Sequence, residues 1–90
     1  MPTEAEGAHV QVVVRLFAAV REALGQETLT LRLPAGSTVR HAREEVERLA
    51  PEARPLLQRC LPARNREFAS LDDPVHEGDE LAFLPPVGGG

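Results

Sequence analysis

The stretch Val10-Gln11-Val12-Val13-Val14-Arg15-Leu16-Phe17 decides how this chain folds. Its run of β-branched residues predicts a β-strand, in which successive side chains point to opposite faces of a sheet. Arg15 indicates which face is buried, because an arginine is almost never fully buried without a partner. The core side of the strand is therefore predicted to carry Val12, Val14 and Leu16, and the outer side Val13, Arg15 and Phe17.

Two elements follow this strand closely. Residues Ala18 to Leu24 are mostly good helix formers, and Gly25 is a common residue just after a helix. From Glu27 to Leu33 leucines alternate with polar residues, which predicts a second strand with Leu29, Leu31 and Leu33 facing inward. Because the segment between the two strands is short, we expect them to pair antiparallel.

The main helix is predicted to begin after Ser37 or Thr38, which serves as its N-terminal cap, and to end at Pro51. Apolar residues recur at helical spacing and predict its buried side: Val39, Ala42, Val46 and Leu49. The other side is charged. We expect that charged side, which includes Glu47, to be solvated.

Weaker strand signals complete the domain. They predict a third strand at Leu61 to Arg64, a turn at Asn65-Arg66, a brief strand at Glu67 to Ala69 and a last strand at Glu80 to Leu84. This order of elements fits an α+β fold in which a mixed sheet of four to five strands packs on one main helix. We expect one domain over residues 10–84, after a disordered lead-in of residues 1–9.

The composition argues against several classes of function. A formal net charge of −4 and the absence of tryptophan and tyrosine argue against nucleic-acid binding. Cys60 is the single cysteine, and the three histidines lack the spacing of metal ligands, so we expect no metal site and no bound cofactor. No run approaches the roughly 20 apolar residues of a membrane span, and residues 1–8 do not resemble a signal peptide. A cytoplasmic protein without membrane contact is therefore predicted.

The chain ends in Pro85-Pro86-Val87-Gly88-Gly89-Gly90, a sequence poorly suited to a packed core. Glycine has no side chain to bury and loses much conformational freedom on ordering, while the two prolines favour an extended path. Six residues at about 3.3–3.6 Å each reach roughly 20 Å. Residues 85–90 are thus predicted to form a flexible tail that presents the Gly90 carboxylate to another protein; the alternative is a frayed terminus without function.

The sequence resembles the small, ubiquitin-like sulfur-carrier subunits of molybdopterin synthase. The resemblance is carried by Leu16 to Glu22, by Asn65, and above all by Gly78 to Val87 with Gly89-Gly90 at the end. A terminal Gly-Gly is shared with other carriers, whereas Phe83-Leu84-Pro85-Pro86-Val87 is much more specific. The resemblance covers residues 10–90 and implies the ubiquitin-like β-grasp fold. Arg64 departs from it, because the family usually has an apolar residue there.

The resemblance implies a non-catalytic subunit that carries sulfur in molybdenum cofactor biosynthesis. A ubiquitin-activating-like adenylyltransferase is expected to use ATP and magnesium to adenylate Gly90, which is then converted to a thiocarboxylate. The tail is expected to enter the large subunit of a heterotetrameric synthase and to donate sulfur to a cyclic pyranopterin phosphate, forming the dithiolene of molybdopterin. The catalytic residues are expected on the large subunit.

The pattern of the last strand predicts where a partner docks. If Leu81 and Phe83 fill the core, Leu84 lies on the outer side with Val13 and Phe17, beside the start of the tail. Exposed apolar clusters of this kind mark interfaces, unless the chain's own segment from Leu61 to Ala69 covers Phe17. Three other functions stay open: a sulfur carrier for thiamine or tRNA thiolation, a ubiquitin-like protein modifier, and an interaction module with an inert tail.

Overall fold

The computed structural model describes residues 8–85. Within this range the strands are β1 (His9–Arg15), β2 (Thr28–Pro34), β3 (Leu61–Arg64), β4 (Glu67–Phe68) and β5 (Glu80–Leu84). The helices are α1 (Ala18–Leu24), α2 (Val39–Leu49) and α3 (Arg54–Leu57), with a short 3-10 turn at Pro51–Ala53. The predicted strands and the two predicted helices are all present, with bounds that differ by one or two residues at most.

β1 begins at His9, one residue before its predicted start. The pairing with the end of β2 extends back to Ala8, whose carbonyl accepts a hydrogen bond of 2.8 Å from the Ala35 N–H. Ala8 and His9, predicted as lead-in, therefore belong to the folded domain, and residues 1–7 lie outside the described residues.

The five strands form one mixed sheet in the order β2-β1-β5-β3-β4. β1 and β2 are antiparallel, as predicted, whereas β1 and β5 are parallel, with Arg15 opposite Ala82. β3 pairs antiparallel with β5 on one side and with β4 on the other. The parallel central pair brings the end of β5 next to the end of β1, so the chain leaves the sheet beside the start of α1.

One face of the sheet is covered by α2. The helix buries Val39, Ala42 and Val46 completely, and they share a core with the fully buried residues Val12, Val14 and Leu81 of the central strands. On β2, Leu31 and Leu33 are buried and Leu29 is partly buried against the same core. The predicted inner sides of β1, β2 and β5 are thus confirmed, and the domain is the α+β arrangement of a sheet on one main helix.

The start of α2 is fixed by its cap at Thr38. The Thr38 N–H donates to Nδ1 of His41 at 3.0 Å, which is one half of a capping box. A capping box satisfies backbone N–H groups that have no partner within the first turn of a helix. Residue 38 is one of the two caps that the sequence predicted.

Two positions near the end of α2 contradict the sequence prediction. Leu49, predicted on the buried side, is 39% exposed, whereas Glu47, predicted to be solvated, is only 9% exposed. The Glu47 carboxylate lies 3.3 Å from Nε of Arg43, one turn earlier, and 3.8 Å from Nε of Arg54 at the start of α3. Two guanidinium groups make the burial of one carboxylate tolerable. The prediction was wrong because helical periodicity does not reveal where a later helix packs.

Candidate functional site

The face of the sheet opposite α2 divides into a polar half and an apolar half. The polar half lies on β2, where Thr28, Thr30 and Arg32 are exposed. The apolar half lies over β5, β3 and β4, and its side chains come from residue pairs that face each other across the strands: Ala82 and Ala63, Leu84 and Leu61, Ala63 and Phe68. Apolar side chains are thus concentrated around the strand that leads to the tail.

A groove lies on this apolar half, and we call it the sheet groove. Its apolar lining consists of Phe17, Ala63, Phe68, Ala82 and Leu84, and its charged lining of Arg15, Arg66, Glu67 and Glu80. The small side chains of Ala63 and Ala82 leave room between larger neighbours. Phe68 is 76% exposed, so this part of the chain keeps an aromatic ring in water.

The structure places Phe17 and Leu84, two of the three predicted docking residues, in the lining of the sheet groove. Val13 lies on the same face of the sheet, opposite Glu80 in the β1–β5 pair, but outside that lining. The segment from Leu61 to Ala69 contributes another part of the lining and leaves Phe17 partly exposed. The contact of all three residues with a partner stays a prediction.

Phe17 is held at a sharp change of direction between β1 and α1. It is the N-terminal cap residue of α1 and has an extended backbone, and the next residue, Ala18, has a φ of +52°. The Phe17 carbonyl accepts hydrogen bonds from the N–H groups of Val20 at 3.1 Å and Arg21 at 3.3 Å. The ring is therefore carried by a fixed backbone at the junction of two elements.

Glu80 organises the charges at the rim of the groove. Its Oε2 accepts a hydrogen bond of 3.1 Å from a terminal nitrogen of Arg15, and its Oε1 lies 3.6 Å from Nε of Arg66. Both arginines are largely exposed, and exposed ion pairs contribute only about 0–1 kcal/mol to stability. Their main effect is to surround an apolar floor with charges of both signs.

The turn between β3 and β4 is bonded to the start of β5 through Asn65. The side-chain NH2 group of Asn65 donates to Oδ1 of Asp79 at 3.0 Å. The side-chain oxygen of Asn65 accepts from the Glu80 N–H at 2.9 Å. The Asn65 backbone N–H also donates to the Glu80 carbonyl at 2.7 Å. Three hydrogen bonds thus connect a single turn residue to Glu80, the first residue of β5, and to Asp79 just before it.

Asp79 is a buried carboxylate, 7% exposed, with several partners. Its Oδ2 accepts from the His76 N–H at 2.8 Å and lies 3.5 Å from a terminal nitrogen of Arg64. Burial alone would raise the pKa of the Asp79 carboxyl, but the hydrogen bonds from Asn65 and His76 and the charge of Arg64 hold it below its usual 3.8. The group therefore stays ionised inside the fold.

Pro85 follows the last residue of β5 and is partly buried. Pro86, Val87, Gly88, Gly89 and Gly90, which complete the predicted tail and its reactive end, lie outside the described residues. The structure does describe their point of attachment. Leu84, two residues before Pro86, lines the sheet groove.

Sequence reasoning missed Phe68 and the charged rim. A signal for Phe68 was present, because a tight turn at Asn65-Arg66 pairs Arg64 with Glu67 and Ala63 with Phe68. Directly opposite residues of an antiparallel pair point to the same face, so Phe68 lies with Ala63 on the outer side of the sheet. The rim has no such signal, because it depends on the parallel register of β1 and β5.

Within residues 8–85, no three side chains of histidine, cysteine, aspartate or glutamate gather closely enough to hold a metal ion. The Cys60 thiol is half-buried and donates to the Leu56 carbonyl at 3.2 Å, and burial raises its pKa. A thiol in that state is a poor nucleophile. In the same part of the chain, none of the helices has the length and apolar character needed to cross a membrane.

Comparison with known proteins gives one consistent family. The model of the ThiS family matches residues 14–90. The chain is 36% identical over 81 residues to the molybdopterin synthase sulfur carrier subunit of Arabidopsis thaliana, covering 90% of this chain and 84% of that protein. It is 37% identical over 84 residues to the subunit of the same name from Escherichia coli (strain K12), covering 88% and 99%. Among solved structures it is similar to small archaeal modifier protein 1 of Haloferax volcanii, with a TM-score of 0.79 and 27% identity, over 87% of this chain and 99% of the other.

Proposed function

Because the chain belongs to the ThiS family, as a molybdopterin synthase sulfur carrier subunit, we propose that it delivers sulfur through its own carboxyl terminus, Gly90. A free carboxylate is a poor electrophile and must first be activated. An adenylyltransferase of the ubiquitin-activating type supplies ATP and magnesium, and the Gly90 carboxylate attacks the α-phosphorus of ATP and releases pyrophosphate. A sulfur nucleophile then displaces AMP from the acyl-adenylate and leaves a thiocarboxylate.

Delivery takes place in the large subunit of the synthase. The glycines of the tail carry no side chain that would block a narrow channel, so the thiocarboxylate sulfur reaches a cyclic pyranopterin phosphate and attacks it. Each attack joins Gly90 to the pterin through a thioester, and water hydrolyses the bond between the Gly90 carbonyl carbon and the sulfur, which leaves the sulfur on the pterin and regenerates the Gly90 carboxylate. Two such transfers supply the two sulfurs of the dithiolene. The acids and bases of this reaction belong to the large subunit, this chain binds no cofactor of its own, and the cycle runs in the cytoplasm.

The observation that carries this proposal is the position of the sheet groove relative to the start of the tail. Leu84 lines the groove, and Pro85 follows it directly in the chain. Exposed aromatic and aliphatic side chains such as Phe68 and Phe17 are typical anchors of protein interfaces. A partner that covers the groove therefore receives the tail at the edge of the same interface.

The activation step is tested by intact mass measurement. The chain is incubated with the adenylyltransferase, ATP, magnesium and a sulfur source, and we expect the mass gain of one oxygen-to-sulfur exchange. The matched control is the chain without Gly90, which keeps residues 8–85 unchanged and should gain nothing. No gain for the full chain, with an enzyme that loads another carrier in the same buffer, would overturn the proposal.

The acceptor is tested separately with the loaded chain. Addition of the large subunit of molybdopterin synthase and a cyclic pyranopterin phosphate should yield molybdopterin, with two loaded chains consumed for each product. A chain that loads with sulfur but gives no molybdopterin would instead serve another acceptor, such as a thiamine precursor or a tRNA base.

A second candidate function is protein modification, favoured by the structural similarity to small archaeal modifier protein 1. In this case the ε-amine of a target lysine attacks the same acyl-adenylate, releases AMP and forms an isopeptide bond to Gly90. The chain has no lysine, so it cannot build chains on itself in this way. Capture of a tagged chain from cells under denaturing conditions distinguishes the two functions, since only a modifier leaves covalent adducts that disappear when Gly90 is deleted.

A further inference from the structure

One part of the sheet groove is carried by a very small element. Arg66, Glu67 and Phe68 all line the groove, and they belong to the β3–β4 hairpin. Among residues 8–85, β4 has two residues, lies at the edge of the sheet and pairs through Ala63–Phe68 and Arg64–Glu67 alone. A hairpin this short is at best marginally stable by itself. Contacts outside the β3–β4 pair must therefore hold it in position.

The backbone of the turn adds to this requirement. Asn65 and Arg66 have φ values of +53° and +71°, the left-handed region that non-glycine residues rarely occupy. Two such residues in succession suit a tight hairpin turn but carry a conformational cost. Asparagine adopts left-handed φ values at a lower energetic cost than most residues, whereas arginine has no such advantage.

The compensating contacts converge on Asn65 and Asp79. The Asn65 side chain forms hydrogen bonds with the Asp79 carboxylate and the Glu80 N–H, so the turn is joined to the start of β5 and to the residue before it. Asp79 is in turn fixed by the His76 N–H and the neighbouring Arg64. Neither Asn65 nor Asp79 lines the groove.

We propose that Asn65 and Asp79 form a positioning pair for the docking site, which sets the orientation of the β3–β4 hairpin and so holds Phe68 and Arg66 where the large subunit binds. This inference rests on the proposed function, because it takes the large subunit of molybdopterin synthase as the partner of the sheet groove. The pair acts through the hairpin and makes no contact with the partner.

The test variant is Asn65→Gly, which keeps the left-handed turn, since glycine adopts positive φ freely, and removes only the side-chain amide. We expect the Kd for the large subunit to rise about tenfold, within the range of coupling between residues in one network. We also expect amide exchange at Ala69, whose N–H donates to the Pro62 carbonyl at 3.1 Å, to become about tenfold faster relative to the core amides of Val12 and Val14.

Two comparisons separate positioning from general destabilisation. His41→Ala, in the capping box of α2 and away from the groove, loses modest stability and should leave the Kd and the relative exchange at Ala69 unchanged. In a chain that already carries Phe68→Ala and Arg66→Ala, Asn65→Gly should change the Kd by less than about twofold, because both side chains that the pair positions are gone. Asp79→Asn keeps the side-chain shape but has one acceptor oxygen in place of two, so it loses the bond from Asn65 or the bond from the His76 N–H and should raise the Kd about threefold.

A tenfold effect of Asn65→Gly that persists in the chain with Phe68→Ala and Arg66→Ala would overturn the proposal, as would an unchanged Kd. If the wild-type chain does not bind the large subunit, the proposed function fails on that measurement alone. The exchange rate at Ala69 still decides the structural claim in that case, because it reports on the hairpin without any partner. An Ala69 amide as protected in Asn65→Gly as in the wild type would show that the pair does not hold the hairpin.

Discussion

The two faces of the sheet carry apolar side chains from the same strands but differ in what covers them. Val14 and Leu81 are fully buried beneath α2, whereas on the opposite face Leu84 is partly exposed and Phe68 is 76% exposed. Removal of apolar surface from water drives folding on the first face. On the second face the same surface is left available to a partner, so substitutions should affect stability on one face and binding on the other.

The largest expected effect is on the covered face, for Leu81→Ala. Leu81 is fully buried at the centre of the sheet, and a buried Leu→Ala change costs about 2–5 kcal/mol through lost burial and the cavity that remains. The total stability of a domain is only about 5–15 kcal/mol, so the urea midpoint at neutral pH should fall strongly. Leu84→Ala is the matched control from the same strand and should cost less than half as much. If the two variants lost equal amounts of unfolding free energy, the distinction between a covered face and an open face would be contradicted.

The next effect is on the open face, for Leu84→Asp. A charge placed in the apolar lining should weaken binding of the large subunit by about 2–4 kcal/mol, or roughly thirty- to thousandfold in Kd, as expected for the centre of an interface. Because Leu84 is only partly buried, the loss of unfolding free energy should stay smaller than that of Leu81→Ala. Thr30→Asp, on the polar half of the same face, controls for added charge and should leave the Kd within about threefold. Unchanged binding by Leu84→Asp would remove the groove as the docking surface.

A third prediction concerns Asp79, the buried residue just before β5. Because its folded-state pKa lies below 3.8, the ionised carboxylate stabilises the fold above that value, and this contribution is lost as the pH falls through the folded-state pKa. Asp79→Asn should therefore cost about 1–3 kcal/mol between about pH 5 and pH 7, because an amide has one acceptor oxygen and cannot accept from both the Asn65 side chain and the His76 N–H. The difference from wild type should shrink in urea titrations below about pH 4. A difference that stays constant to about pH 3 would show that the charge plays no part.

The covered face was largely predictable from the sequence because its signals are local. The alternation in β1, with Arg15 as the one charged residue, identifies the inner valines, and the apolar spacing from Val39 to Val46 identifies the inner side of α2. Both patterns depend only on the geometry of a single strand or helix. Prediction failed at Glu47, whose burial depends on the position of α3.

The open face was less predictable because its groove is built from residues distant in sequence. The parallel pairing of β1 and β5 brings Phe17 and Leu84 into the lining of one groove, and Asn65 forms a hydrogen bond with Asp79, 14 residues later. The sequence indicates which side of each strand these residues occupy. Which strands become neighbours is a property of the whole chain, so Phe68 and the charged rim became visible only in the structure.

The smallest expected effect tests whether the faces are independent. His41→Ala removes the acceptor of the Thr38 N–H at the start of α2 and should lower the unfolding free energy by about 0.5–1 kcal/mol, since water can replace a bond that lies at the surface. His41→Gln keeps a side-chain acceptor at this position and should recover most of the loss. Because α2 covers only the inner face, the Kd for the large subunit should stay within about twofold for both variants. If His41→Ala weakened binding as strongly as Leu84→Asp, the helix would have to control the shape of the groove through the sheet, and the two faces would act as one unit.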